Sequence, residues 1–379
     1  MRLSYLPLSH NAVLSALFVA ALAVSYASRA TAVMGAYLVL AFVAVLANAK
    51  VFSQSSQRER NVTLALVLVT SIMLPISLLR SLTGVIHYAV VLVSLGAAYV
   101  LTRDTNVYVR ASRWVLVSAQ LYIFSYLVRH GIRNFPLQDI IPNSSSNGVT
   151  SYVVLLQANY CIVNYVQTRR TSLLTALATL AICVVGFGRG SVLAATGIVI
   201  AGAVCRVFLA GKGRAFFVSL LVLVTSVFLS IRYSEQILVF VNSNTKIGSG
   251  LFDAHRYEMI VEYLDKIDAS TLWTGASYTG TSIASEYNNN PHNSFIRAHH
   301  IFGLPYLLLM LCIPVYLVHR KHAFSVKAYA GCVWMVVMFR ASTEPILFPT
   351  LLDFFFFGVC FVLSQDPHYR RVDLGVRSS

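Results

Sequence analysis

Apolar stretches of roughly bilayer-crossing length recur from one end of this chain to the other, separated by short polar turns. A helix needs about 20 such residues to cross ~30 Å of hydrocarbon. On that measure twelve candidate spans can be marked: residues 11–28, 31–51, 61–79, 84–101, 114–128, 151–167, 172–187, 191–210, 215–231, 301–318, 323–339 and 346–363. Their recurrence along the whole length predicts an all-α, polytopic membrane helical bundle of about twelve transmembrane helices, forming a single domain over residues 1–379. One long hydrophilic stretch, residues 232–300, interrupts the pattern between the ninth and tenth spans, and a shorter one covers 130–150.

Composition agrees with that reading. The chain is 57% apolar and only 11% charged, with a mean hydropathy of +0.70, against roughly 25% charged residues in an average soluble domain. Orientation follows from the basic residues, because Lys and Arg of short loops stay on the cytoplasmic side. With the N-terminus inside, the inner segments collect 18 of the 29 basic residues, among them Arg58, Arg103, Arg170, Arg206, Lys321 and Arg371. Both termini are then cytoplasmic and both longer loops lie outside. The net charge of +15 becomes a topology signal that needs no nucleic-acid partner. Six cysteines lie in or beside the spans without disulfide or zinc-site spacing, and read as small packing residues. The first span follows almost no basic residues and leads directly into a second, which predicts a retained anchor.

The outer face holds the residues that packing alone does not explain. In the long loop, Tyr257, Ile260, Val261, Leu264 and Ile267 fall at helical spacing with Glu258, Glu262, Asp265 and Lys266 opposite them, which predicts an amphipathic helix with Arg256 at its start. Such a helix could lie on the membrane and roof a cavity. A glycine-punctuated turn beginning Trp273-Thr274-Gly275 follows, and then Asn288-Asn289-Asn290-Pro291-His292-Asn293, with nine residues between Asn293 and Gly303. Arg189 sits in Gly186-Phe187-Gly188-Arg189-Gly190 between two spans. Its charge is open to two readings, snorkelling toward lipid headgroups or binding an anion. Arg340 and Glu344, four residues apart at the outer end of the eleventh span, read as an ion pair or as support for a site. Asn293 is equally a helix N-cap or a group that orients the neighbouring ring. Tyr257, Tyr263, Trp273, Tyr278 and Tyr287 suit either sugar stacking or an interfacial aromatic belt.

Three of these features, in this order, resemble the bacterial O-antigen polymerase and O-antigen ligase superfamily. They are an arginine in a glycine-rich turn between spans (Arg189), an arginine opening the helix of a long periplasmic loop (Arg256), and a His-Asn pair followed at a distance by glycine (His292, Asn293, Gly303). The resemblance covers about the C-terminal half; the N-terminal half matches only as a series of spans. It implies a GT-C-like membrane glycosyltransferase of the inner membrane with a periplasmic active site in the loop 232–300. The donor would be an undecaprenyl-diphosphate-linked glycan, with no cofactor and no metal.

The residue chemistry suits those implied roles. Guanidinium forks bind phosphate oxygens in bidentate fashion, so Arg189 and Arg256 are the candidates for the diphosphate. An imidazole can take a proton near neutral pH, so His292 is the candidate catalytic base, with Asn293, Arg340 and Glu344 in support. His299 and His300 stand near His292 in sequence, but no carboxylate or cysteine at metal-site spacing joins them. The acceptor separates the readings. A second lipid-linked glycan would make the chain a polymerase, with a chain-length regulator as a further candidate partner. Lipid A-core would make it a ligase. A flippase for the same lipid-linked glycans is a third reading, and it predicts charges deep within many spans.

Overall fold

The computed structural model describes residues 31–47, 49–131, 137–141, 145–209 and 254–366. The expected spans 11–28 and 215–231, the part of the long loop before residue 254 and both chain ends lie outside the described residues. Among the described residues 78% are helical and none is in a strand, so packing is entirely helix on helix and loop on helix. In chain order the helices are α1 (Thr31–Ala47), α2 (Gln57–Arg80), α3 (Thr83–Leu101), α4 (Thr105–His130), α5 (Ser146–Thr168), α6 (Leu173–Val185) and α7 (Arg189–Leu209). They continue with α8 (Ala254–Leu264), α9 (Thr271–Thr274), α10 (Ser282–Ser285), α11 (Ser294–Leu317), α12 (Phe324–Ala341) and α13 (Asp353–Ser364).

Among the described residues, five helices are long and apolar enough to cross a membrane: α2, α3, α7 over Arg189–Val207, α11 and α12. Their outward faces carry rows such as Leu64, Leu68 and Ile72 on α2 and Leu308, Leu311 and Val315 on α11, all exposed. Rows of this kind would expose a large apolar patch to water, and they mark faces that meet lipid. This is a membrane-embedded, all-helical protein.

Several boundaries differ from the sequence expectation. Helix α11 starts at Ser294, seven residues ahead of the expected Ile301, because Asn293 caps it. The expected span 346–363 is helical only from Asp353. Residues 346–352 approach it as a largely buried turn, in which the Asp353 carboxylate accepts the amides of Phe348 at 2.9 Å and Thr350 at 3.0 Å. An acid there satisfies amides that a helix start leaves open, which is how this non-helical approach can be buried. Of the six cysteines, Cys312 and Cys332 are exposed, while Cys161, Cys183, Cys205 and Cys360 are buried as packing residues.

The chain divides into two compact units: Met1–Val115, His255–Ala323 and Ala341–Ser379 form the first, and Leu116–Ala254 with Phe324–Arg340 the second. In the first, α2 packs along α11 and α3, and α13 packs on α3. The sequence Ser56-Gln57-Arg58-Glu59 starts α2 with a capping box. Glu59 is buried there: its Oε2 meets Arg103 Nη2 and the Ser56 amide, each at 2.9 Å, and its Oε1 accepts from Ser364 Oγ at 2.6 Å. The Arg103 guanidinium lies over the Tyr99 ring, 3.8 Å from its centroid.

In the second unit α5 is buried on nearly every face, as expected of a central helix apolar around most of its circumference. Helices α6 and α7 pack against it and against each other. Some polar side chains within this core pair with one another: Gln120 Nε2 donates to Thr179 Oγ1 at 2.9 Å, and Thr150 Oγ1 donates to Ser191 Oγ at 2.8 Å.

Candidate functional site

The described part of the long loop has its own small core. Met259 and Tyr263 of α8 are buried with Ala276, Tyr278, Ile283 and Ile296. The helix itself is where the sequence puts it, with Arg256 in its first turn, but its buried face is rotated from the expected one. Tyr257 and Leu264 are 57% and 54% exposed, whereas Met259 and Tyr263 are 1% exposed. Two apolar stripes compete on this helix. Met259 and Tyr263 win because they reach both the loop core and Ile296 on α11, while Tyr257, Val261 and Leu264 form the outer stripe.

A bend in α11 locks this loop to the bundle. Gly303 has φ 71° and ψ −176° inside the helix, and a side chain at that position would run into the Trp273 carbonyl. Gly275, at φ 90°, presses as closely on the His299 carbonyl. Both conformations favour glycine for want of a Cβ. Arg80, the last residue of α2, donates to the carbonyls of Thr274 (2.8 Å), Gly275 and His300. His299 Nε2 donates to the Leu272 carbonyl at 2.9 Å, leaving Nδ1 to accept from the Tyr263 hydroxyl at 2.7 Å. His300 Nδ1 donates to the Ala276 carbonyl at 2.7 Å, and its ring stacks on Tyr278 at 3.7 Å. Burial pushes the Tyr263 and Tyr278 phenols well up, so both stay neutral. Both histidines therefore hold the loop in place, and no group of three or more metal-ligating side chains occurs among the described residues.

Beside this scaffold the His-Asn pair meets the segment after α12. Asn288, Asn289 and His292 all have positive φ, at 50°, 61° and 46°. Asn tolerates that region; a histidine there is uncommon and is held by its surroundings. Asn290 Oδ1 accepts the His292 amide at 3.1 Å, and Asn293 Oδ1 caps α11 by accepting the amides of Phe295 (2.8 Å) and Ile296 (3.1 Å). Of the two readings of Asn293, the cap is the one observed. With the backbone so fixed, His292 Nδ1 lies 3.6 Å from Glu344 Oε2, and Arg256 Nη2 lies 3.5 Å from Glu344 Oε1. Glu344 is buried, whereas the His292 and Arg256 side chains remain 22% and 27% exposed. Arg256 Nη1 also donates to the Thr343 carbonyl at 2.9 Å. The strap carrying Glu344 is pinned to α11: Ser294 Oγ donates to the Glu344 carbonyl at 2.8 Å, and Arg297 Nη1 to the Pro345 carbonyl at 3.1 Å. The Tyr287 ring stands edge-on to His292, with centroids 5.7 Å apart.

The first unit thus brings together His292, Arg256, Asn293 and Glu344. Arg189 and Arg340 belong to the second. Arg189 opens α7, and Arg340, 2% exposed, donates from Nε to Ser191 Oγ at 3.1 Å and from Nη2 to Ser151 Oγ at 2.6 Å. Sequence reasoning missed Arg80 and Arg297. Their signal was available: both are basic residues on the expected outer side, exceptions to the rule that sets the topology.

The arrangement can hold an imidazole with a carboxylate behind one nitrogen and a guanidinium on the other carboxylate oxygen. That combination can take up a proton beside a site for negative charge. No protein-family model matches the chain, and no curated protein matches it by sequence.

Proposed function

We propose that this chain is a membrane glycosyltransferase of GT-C type with about twelve spans, polymerising undecaprenyl-diphosphate-linked glycan repeat units at the periplasmic face of the bacterial inner membrane. The observation that carries the reading is the Glu344 carboxylate, buried between His292 Nδ1 and Arg256 Nη2 at 3.6 Å and 3.5 Å. In this reading Glu344 orients the ring, and Nε2 faces the acceptor sugar. The acceptor hydroxyl attacks the anomeric carbon of the donor and gives its proton to His292 Nε2. The bond from that carbon to the diphosphate oxygen breaks, and its electron pair leaves with undecaprenyl diphosphate. Arg256 stabilises the charge that grows on the leaving group, a contribution of about 3 kcal/mol for a well-placed donor. Arg189 keeps its sequence-level assignment to phosphate. Both termini are cytoplasmic in this scheme, and no metal or nucleotide sugar takes part.

The test is an assay of the purified full-length chain with undecaprenyl-diphosphate-linked repeat units as sole substrate, read as a gel ladder. A ladder that disappears in His292→Ala supports the polymerase. Transfer only when lipid A-core is added would make the chain a ligase. Glycan crossing a vesicle membrane with no new glycosidic bond would make it a flippase and sink the transferase reading.

A further inference from the structure

The side of α8 that Met259 and Tyr263 leave open is partly apolar. Tyr257 and Leu264, both exposed, lie on one face with the half-buried Val261 between them. Glu258, Glu262 and Asp265 occupy the neighbouring exposed face, so an apolar stripe and an acidic one run side by side along the helix. Just beyond its C-terminus, Leu272 and Trp273 of α9 are exposed as well. Tyrosine and tryptophan are the side chains enriched where a bilayer meets water.

Two helices of the bundle fix the depth of this part of the loop. The apolar stretch of α2 covers residues 61–79. That is about 28 Å at ~1.5 Å per residue, close to the ~30 Å of a hydrocarbon core. Its exposed row Leu64, Leu68 and Ile72 continues at Leu79, 89% exposed, so the lipid-facing surface reaches the last turn of the helix. Arg80, the next residue, therefore stands at the hydrocarbon edge. It donates to the carbonyls of Thr274 (2.8 Å), Gly275 and His300. Helix α11 gives the same level from the opposite direction, since its apolar stretch opens at Ile301 and the Trp273 carbonyl packs against Gly303. At the far end of the same pair, Asn61 Nδ2 donates to the Tyr316 hydroxyl at 3.2 Å, so the two helices run antiparallel across one slab. Leu272 and Trp273 are thus tied to the hydrocarbon edge by contacts to both helices, beside the end of the lipid-facing row of α2.

We propose that Leu272, Trp273 and the Tyr257-Val261-Leu264 stripe of α8 form an interfacial seat that docks the loop on the bilayer, in the leaflet at the C-terminal end of α2. The partner is the lipid surface that α2 already meets. The acidic stripe of α8 then faces water, as an amphipathic helix lying in the interface requires. Arg256 opens the same helix and meets Glu344, so the seat also sets the height above the bilayer at which that pair stands. The seat depends only on the membrane embedding of the first unit and holds whether or not the chain transfers sugars.

The experiment uses the full-length chain in lipid nanodiscs, with tryptophan emission as the readout. Trp114→Phe with Trp334→Phe leaves Trp273 as the single tryptophan. Phosphatidylcholine brominated near the headgroup should quench its emission about twofold, the same lipid brominated deep in the chain less, and aqueous iodide least, as for a side chain at the headgroup boundary. With Trp273→Phe added, Leu264→Trp should repeat that pattern. Glu258→Trp, on the acidic stripe, should show the opposite one, quenched by iodide and not by either lipid. Iodide quenching of Trp273 or of the Leu264→Trp reporter, without quenching by brominated lipid, overturns the proposal. Protection from both quenchers also overturns it, because protein, from this chain or a second copy, would then cover the stripe. Equal lipid quenching at positions 258 and 264 overturns it too, since the helix would have no lipid-facing side. The Trp273 arm leaves the loop unaltered and decides the matter even if an α8 variant fails to fold.

Discussion

Glu59 and Glu344 are both buried carboxylates of the first unit, and each faces an arginine, but their surroundings are completed differently. Glu59 has contacts of 2.6–2.9 Å at both oxygens, from Ser364, Arg103 and the Ser56 amide. Glu344 stands 3.5 Å from Arg256 and 3.6 Å from His292, and both partners keep part of their surface open. A carboxylate with both oxygens engaged at short range holds helices together and has little left to offer a substrate. One whose partners stand just beyond hydrogen-bond length can tighten when a substrate arrives, as apo catalytic groups often do. The same residue type in the same unit therefore reads as structural at one end and functional at the other.

The comparison breaks most visibly if His292 is removed. His292→Ala should lower glycan transfer about 10²–10⁴-fold, the usual contribution of a positioned general base. Membrane insertion and protein yield should not change. Loss of insertion would move His292 to the structural side. Next in size, Glu59→Ala should destabilise the protein by about 3 kcal/mol, because it leaves Arg103 without its buried partner. Thermal unfolding in detergent measures this, and the turnover of the folded fraction should stay at the wild-type value.

Gly303→Ala should cost about 1–3 kcal/mol from the backbone conformation alone, since φ 71° with ψ −176° is a region essentially confined to glycine. The clash with the Trp273 carbonyl adds to that and should displace the loop, visible as faster proteolysis near Trp273. Glu344→Gln keeps the shape and removes the charge, so a loss of transfer of about tenfold with unaltered stability is expected, one charge-assisted interaction in the transition state. A drop in stability without a drop in rate would put Glu344 in the same class as Glu59.

The smallest effect is in the loop turn at Asp268. Its carboxylate accepts from the amides and hydroxyls of Ser270 and Thr271 at 2.7–3.0 Å, and these bonds bring its pKa from 3.8 down to about 2. A folded pKa below the unfolded one means that the turn has its full support above about pH 4 and loses it as pH falls toward 2. The protection factors of the Ser270 and Thr271 amides, with the intrinsic pH dependence of exchange divided out, should fall over that window and stay constant above it.

Much of this was legible in the sequence. Apolar run length marked the five described helices that are long and apolar enough to cross a membrane, because the bilayer leaves the backbone few alternatives. The spacing of Arg256 and the His-Asn pair located the polar cluster, since helix starts and Asn caps leave local marks. Other features depend on contacts between segments far apart in the chain. Which of two apolar stripes α8 would bury depended on Ile296, more than 30 residues away. Glu344 was read beside Arg340, its neighbour in sequence, and the ring and guanidinium it faces come from segments about 50 and 90 residues upstream. The bond from Arg80 to the Thr274 carbonyl spans 194 residues, and no local pattern encodes it.

The two exposed cysteines give the chain a built-in pair of reporters. Cys312 belongs to the first unit and Cys332 to the second, while the other four thiols are buried. A membrane-permeant thiol-reactive spin label should therefore reach these two thiols, one in each unit, ahead of the four buried ones. The mobility of each label, recorded with and without a polyprenyl-diphosphate lipid, would then report on each unit separately.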